Sequence, residues 1–270
     1  MESFFTYLAQ NDELRFGLLF GSLTFAIILE NLIPLVRFEH HRIKHIGTNL
    51  VFLVTSGIVT GVLTAIAYGV FALNNLPYSI FSMLALPLWV QAVVGLLLLD
   101  FFGQYFSHAC LHKFKPLWKT HLVHHSDTTV DASTGTRRHP CDILFRESLI
   151  LIVIAAFGIP LGVYVLYRII TPFFAYFTHA NIELPLNVDK ALSLIIVTPN
   201  MHKFHHHFER PWTDTNFGNV LSCWDRMFGT FVYGDTKDIQ YGVDTVDGSK
   251  DLDLRYQYLL PWNRSIKTDY

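Results

Sequence analysis

The sequence predicts an all-α, polytopic membrane helical bundle. Three spans, a re-entrant or shallow helical hairpin and a cytoplasmic histidine-rich cap make it up. Three observations predict it. Of 270 residues, 51% are hydrophobic and only 16% charged, whereas soluble domains carry roughly 25% charged residues. No Asp, Glu, Lys or Arg occurs between His45 and Leu99. Fourteen histidines are present, four of them inside "HKFHHHF" at residues 202 to 208.

The first span is expected over Phe16 to Val36, with Glu30 and Asn31 near one end, where they reach the interface or the bundle interior. It has no basic n-region before it and no small-residue cleavage site after it, so a cleavable signal peptide is not expected. The uncharged stretch is long enough for two spans of roughly 20 residues each. The turn between them is "LNNLPYS", residues 73 to 79, and the third span runs from about Leu84 to Tyr105. The loop "RFEHHRIKH", residues 37 to 45, carries Arg37, Arg42 and Lys44 and is placed in the cytoplasm by the positive-inside rule, with the N-terminus outside. His40, His41 and His45 in it read as solvated or facing lipid headgroups. The third span then delivers "SHACLHKFKPLWKTHLVHHSD", residues 107 to 127, to the cytoplasmic face.

A second apolar stretch runs from Ser148 to Ile182 with Arg168 as its only charge. If residues 148 to 167 crossed fully, too few would remain to bring His179 back. A hairpin turning at Gly158-Ile159-Pro160-Leu161-Gly162 is expected instead. Its first limb, residues 148 to 157, would reach only about 15 Å. Beyond Glu183 the chain is polar and ends in a soluble tail. No Lys/Arg block marks a nucleic-acid surface. Cys110, Cys141 and Cys223 have no paired spacing, so all three are expected as reduced, with Cys110 and Cys141, near histidine motifs, as small buried thiols.

His108 and His112 are four apart, so on a helix both rings can meet one metal. His121, His124 and His125 form H-x-x-H-H, and His202, His205 and His206 repeat that spacing on one helical face. His139 in "RRHP" and His179 in "FTHAN" stand singly. Eight to ten histidines exceed the six positions of one octahedral ion, so the cap is predicted to hold two metals. Imidazole suits Fe, Zn, Cu and Ni.

Together, "YFSHACLHKFKPLWKTHLVHHSD", "RRHP", "FTHAN", "TPNMHKFHHHF" and "TNFGNVLSCWDRMFGTF" resemble the fatty acid hydroxylase / sterol desaturase superfamily over roughly residues 84 to 233. The resemblance implies an integral-membrane di-iron enzyme that uses O2 and external electrons to hydroxylate or desaturate a membrane lipid: a sterol, fatty acyl chain or ether lipid. It implies as ligands His108, His112, His121, His124, His125, His179, His202, His205 and His206, with His139 a tenth candidate. His207 follows "HH" where many members have a small or polar residue, and is expected to be spare. One membrane-embedded domain over 1–270 follows, with N-terminal spans (1–83), a catalytic core (84–233) and the tail (234–270). No haem module or G-x-G-x-x-G is evident, so a cytochrome- or ferredoxin-type protein is expected to supply electrons.

Metal-bound histidines commonly donate their other N–H to a carboxylate or carbonyl. Asp225 and Asp127 are candidates. Gln104 continues the i+4 row to touch His108, and Asp100, two turns away, is placed in a substrate pocket. Trp118, Trp224 and Phe228 read as packing and interface anchors. A histidine-rich metal-binding or transport protein would need polar residues deep in several spans, which the stretch 45 to 99 does not offer. A membrane cytochrome would place lone histidines within spans rather than i, i+3, i+4 triplets. The ending "IKTDY" lacks a retrieval signal, which favours a bacterial inner membrane, or the endoplasmic reticulum if the source is eukaryotic.

Overall fold

The computed structural model describes residues 2–38, 42–74, 79–234 and 236–267. His40, His41 and residues 75 to 78 of the expected turn lie outside the described residues. Those described form helices and turns without a strand.

Helix α1, Glu2–Gln10, leads into α2, Asp12–Leu32, whose first turn is capped by the Asn11 side chain accepting from the Leu14 N–H. Asp12 and Glu13 add the negative charge that a helix N-terminus favours. Glu30 turns into the bundle interior. Its carboxylate accepts the N–H groups of Ala132 (2.6 Å) and Asn181 (2.7 Å) and pairs with Arg42 (3.1 Å). The buried carboxylate is thus satisfied by protein partners.

Among the described residues, three helices are long and apolar enough to cross a membrane: Arg42–Phe71 within α3 (Arg42–Asn74), Leu88–Lys113, and α9, Leu161–His179. The first two match the spans expected from the uncharged stretch. The third is the second limb of the expected hairpin, whereas α2, the expected first span, is not among them. On α3, Val54, Ile58, Val62 and Ile66 form an exposed stripe at four-residue spacing. That apolar row suits hydrocarbon rather than water.

After the short helix α4, Ile80–Met83, the helix Leu88–Lys113 is continuous but not uniform. It comprises α5 (Leu88–Asp100), a π-helical segment (Phe101–Phe106) and α6 (Ser107–Lys113). There the helix pulls tight against its neighbours, since a Cβ on Gly103 would lie 2.5 Å from the Tyr167 hydroxyl and 2.9 Å from Ile150. Extended Phe114 and Pro116 then break the chain into α7, Lys115–His125.

The hairpin turns where Gly158 and Pro160 predict. Gly158 sits at φ 69°, and a Cβ there would strike Ser79. The first limb, α8, is longer than expected. It runs Pro140–Phe157, 18 residues or about 27 Å. Its charged first half stays helical and buried because each charge has a partner. Arg146 donates to Asp142 at 2.8 Å, and Glu147 pairs with Arg168 on α9. An apolar core of Ala67, Phe71, Leu99, Ile150, Ile154 and Val163 binds α3, α5, α8 and α9 together. Short helices α10 (Leu186–Leu192), α11 (Pro199–His205), α12 (Cys223–Met227) and α13 (Leu254–Leu259) build the cap. Val243, Leu260 and Ile266 of the tail are buried against Trp118 and Leu122 of α7.

Candidate metal centre

Four elements converge at one end of the bundle. α6 brings His108 and His112, α7 brings His121, His124 and His125, the end of α9 brings His179, and α11 with its C-cap brings His202, His205 and His206. All nine are buried. They sort into two groups, His108, His112, His121, His125 and His205 in one and His124, His179, His202 and His206 in the other. Within each group one nitrogen per residue lies within 4.8 Å of the others.

The two H-x-x-H-H motifs are shared between the groups in opposite senses. His121 and His125, four apart, join the first group while His124 joins the second. His202 and His206, four apart, join the second while His205 joins the first. Each triplet therefore straddles two adjacent sites. The rings of His125 and His206 stack at 4.6 Å, and those of His124 and His206 meet edge-on at 4.6 Å.

The outward nitrogens define the tautomers. Nδ1 of His108 lies 2.8 Å from the Phe217 carbonyl, that of His205 2.6 Å from Thr215, that of His124 3.2 Å from Arg137 and that of His179 2.6 Å from Ala175. A carbonyl only accepts, so each Nδ1 carries the proton and each Nε2 a lone pair. His121 and His112 donate to the carboxylates of Asp142 (2.6 Å) and Asp214 (3.2 Å). The inward Nε2 atoms nonetheless crowd together: His108 and His121 at 2.9 Å, and His179 at 3.1 to 3.2 Å from His124, His202 and His206. Nε2 of His112, His125 and His205 is buried with no hydrogen-bond partner among the described residues. Lone pairs converging in a dry space repel unless a cation lies between them, so both groups fit metal ions.

Protonation is suppressed as ligation requires. Burial, opposed by Asp142, brings His121 down to about 3. Burial, then neighbouring histidines, holds His124, His125, His202, His205 and His206 well below the ordinary range. Burial alone would raise the carboxyl of Asp142, yet Arg146 and His121 keep it well below the usual carboxylate range. It therefore faces His121 as an anion.

Several expectations are corrected. His139 joins neither group. Its Nδ1 accepts the Cys141 N–H as the N-cap of α8, and its ring packs on Tyr258 and Trp262. Asp127 touches no clustered histidine. It binds His45 at 2.9 Å, and His45, expected in solvent, is buried between Asp127 and Asp131. Asp225 acts one step further out. It accepts the N–H groups of Phe217 (2.7 Å) and Gly218 (2.9 Å), fixing the carbonyl that orients His108. Gln104 donates to Tyr167 (2.6 Å), and Asp100 accepts from Trp224 (2.8 Å). The π-helical segment contains Gln104 and separates Asp100 from α6, so a count of 3.6 residues per turn does not carry from either to His108 and His112. His207 lies outside both groups, as expected, accepting the Glu209 N–H through Nδ1.

Asp142 and Asp214 escape the sequence reading, although "RRHPCD" and "WTDTNFG" hold them close to motifs. So does Asn216, at φ 52°. Its side chain bonds the carbonyls of Met201 and Val232 and the N–H of Val232, locking the 214–218 loop onto α11.

Beside the centre lies a cavity of about 590 Å³ between α2, α3, α8 and α9. Ala175 and Arg146 are in its wall. They are the residues that hold His179 and, through Asp142, His121.

The profile of the fatty acid hydroxylase family matches residues 92–230. The chain is 34% identical to an ornithine lipid hydroxylase of Rhizobium tropici over 145 residues, 54% of this chain and 43% of that protein. It is 31% identical to the human alkylglycerol monooxygenase over 155 residues, 57% of this chain and 33% of that one. With methylsterol monooxygenase 1 of Danio rerio it shares 26% over 162 residues, 58% of this chain and 52% of that one. The matched stretch thus spans less than half of the first two relatives. No solved structure matches the chain.

Proposed function

Since the chain belongs to the fatty acid hydroxylase family, we propose that it is a membrane di-iron oxygenase that inserts oxygen into, or desaturates, a C–H bond of a lipid. The two adjoining histidine groups carry this reading. Their nine ligands are His108, His112, His121, His125 and His205 for one iron and His124, His179, His202 and His206 for the other. Held there, two irons would supply O2 activation, with electrons coming from a cytochrome- or ferredoxin-type protein. The chain holds the imidazoles neutral and aimed inward, with Asp142 and Asp214 offsetting part of the metal charge. The cavity admits an apolar chain beside the metals.

The three relatives act on an ornithine lipid, an alkylglycerol and a methylsterol, as their names state. A polar membrane lipid is therefore the substrate class here. The basic loop around Arg37, Arg42 and Lys44 favours a cytoplasmic face for the histidines, with one domain over 1–270 and a bacterial inner membrane. The hairpin of α8 and α9 stays within or just below the bilayer. A transport role fits less well, because four outward nitrogens are fixed to backbone carbonyls, a rigid holder rather than a relay.

Lipid extracts from cells with and without the gene, compared by mass spectrometry, test this. The expected result is a lipid shifted by the mass of one oxygen or by loss of two hydrogens, absent when His121 or His202 is changed to Ala. Identical lipidomes under aeration would refute it.

A further inference from the structure

The cavity beside the metal centre is long and amphiphilic. On α3 it is lined from Leu53 to Tyr68, and on α9 from Tyr164 to Tyr176, lengths of about 22 and 18 Å. Gly57 and Gly61 face it, and a Cβ on either would meet nothing within 4 Å.

Its charges are not evenly matched. Four arginines line it, Arg15, Arg138, Arg146 and Arg168. Arg15 pairs with Asp12, Arg146 with Asp142 and Arg168 with Glu147. The Arg138 guanidinium has no ion pair or side-chain hydrogen bond among the described residues. Its backbone carbonyl is fixed by the Ser56 hydroxyl at 2.7 Å. Arg138 also sits at the metal end, since the carbonyl of the preceding residue, Arg137, accepts the Nδ1 proton of His124 at 3.2 Å. The guanidinium is only partly buried, so its fork of donors is open to the cavity, where a bidentate anion can meet it.

We infer that Arg138 anchors an anionic head group of the lipid substrate at the metal end of the cavity, with the hydrocarbon chain running outward along α3 and α9. This rests on the lipid-oxygenase reading and narrows it to a lipid with a phosphate or carboxylate. The oxidised carbon then lies close to the head group rather than near the chain's methyl end.

The test is binding, measured by native mass spectrometry on the purified iron-loaded protein in neutral detergent without electron donor. The probes are hexadecyl phosphate, hexadecan-1-ol and inorganic phosphate. Wild-type protein should retain hexadecyl phosphate, and Arg138→Gln should weaken it by about tenfold or more. Hexadecan-1-ol should change by no more than about twofold, which shows that the variant's cavity is intact. Arg138→Lys should bind at an intermediate level, since it keeps the charge and loses the fork. Gly61→Leu, filling open space, should expel both long-chain probes.

Unchanged hexadecyl phosphate binding in Arg138→Gln would overturn the anchor, as would equal loss of both long-chain probes. Binding of inorganic phosphate as tight as hexadecyl phosphate would also overturn it, by assigning the site to a free anion. Retention of both lipids by Gly61→Leu would place them outside the cavity and sink the proposal. If the binding pattern holds while cells show no oxidised lipid, the anchor stands and the oxygenase reading fails. If cells show oxidised lipid while binding ignores Arg138, the oxygenase reading stands and the anchor fails.

Discussion

Asp142 accepts the Nδ1 proton of His121 at 2.6 Å with one oxygen and the Arg146 guanidinium at 2.8 Å with the other. The carboxylate thereby ties a helix that carries no clustered histidine, α8, to the metal-facing ring on α7. It does so from a fully buried position. Asp142→Ala should therefore lower iron affinity by roughly 10- to 100-fold, the range for partners that orient metal-bound imidazoles. Asp142→Asn, which still accepts the N–H, should lose less. Chelator competition on the purified variants checks the order, and equal affinity in Asp142→Ala would refute it.

The crossed sharing of the two triplets predicts unequal iron loss. His179 Nε2 stands within 3.2 Å of the Nε2 atoms of His124, His202 and His206. Removing it should empty the four-histidine group and leave the five-histidine group. His179→Ala is expected to fall from about two irons per chain to about one, because the remaining donor set is still complete for a single ion. Lipid oxidation should vanish. Elemental analysis showing two irons retained, or none, would count against separate sites.

Much of this centre is legible in the residues. Helical spacing and the family resemblance name all nine clustered histidines. Which group each joins is not legible. The i, i+3, i+4 rule marks one helical face, but that face spans about 100°. With neighbouring sites only a ring's width apart, its two edges reach different metals. The π turn at Phe101–Phe106 is invisible for a related reason. Counting 3.6 residues per turn puts Gln104 and Asp100 on the row of His108, and the count fails across that turn. His45 reads as solvated because its partners, Asp127 and Asp131, are more than eighty positions away, and only tertiary packing brings them together. The helical classes of α3, α5 and α9 come through because long apolar runs leave few alternatives. The full length of α8 does not, since ion pairs across the hairpin bury charges that look like a helix boundary.

Acid should destabilise the iron-free protein. His121, His124, His125, His202, His205 and His206 are all pushed below the ordinary imidazole range by burial. In the unfolded chain each takes a proton near pH 6.5, whereas the folded chain stays neutral. The unfolded state then binds more protons, so stability falls as pH drops below about 6.5, by up to about 1.4 kcal/mol per pH unit for each such histidine. Melting temperatures of iron-stripped protein in detergent should decline steeply from pH 7 to 5. Iron-loaded protein should resist until acid displaces the metal. A flat profile for the stripped protein would show that these rings take up protons in the fold as readily as in the unfolded chain.

His206 and His207 are adjacent yet should behave oppositely. Helix α11 ends at His205, and His206 is its C-cap, with its N–H bonded back to Lys203 at 3.0 Å. That capped turn still aims the His206 ring at His179. One residue later the chain has left the helix. The His207 ring turns to the Glu209 backbone and packs on Phe204, away from both groups. His207→Ala should keep both irons and most lipid oxidation, losing a local turn contact of about 1 kcal/mol. His206→Ala should lose the iron of the four-histidine group and all oxidation. Iron content and product yield measured on the pair decide it. Metal loss in His207→Ala with His206→Ala intact would mean that the register of the second triplet is shifted by one.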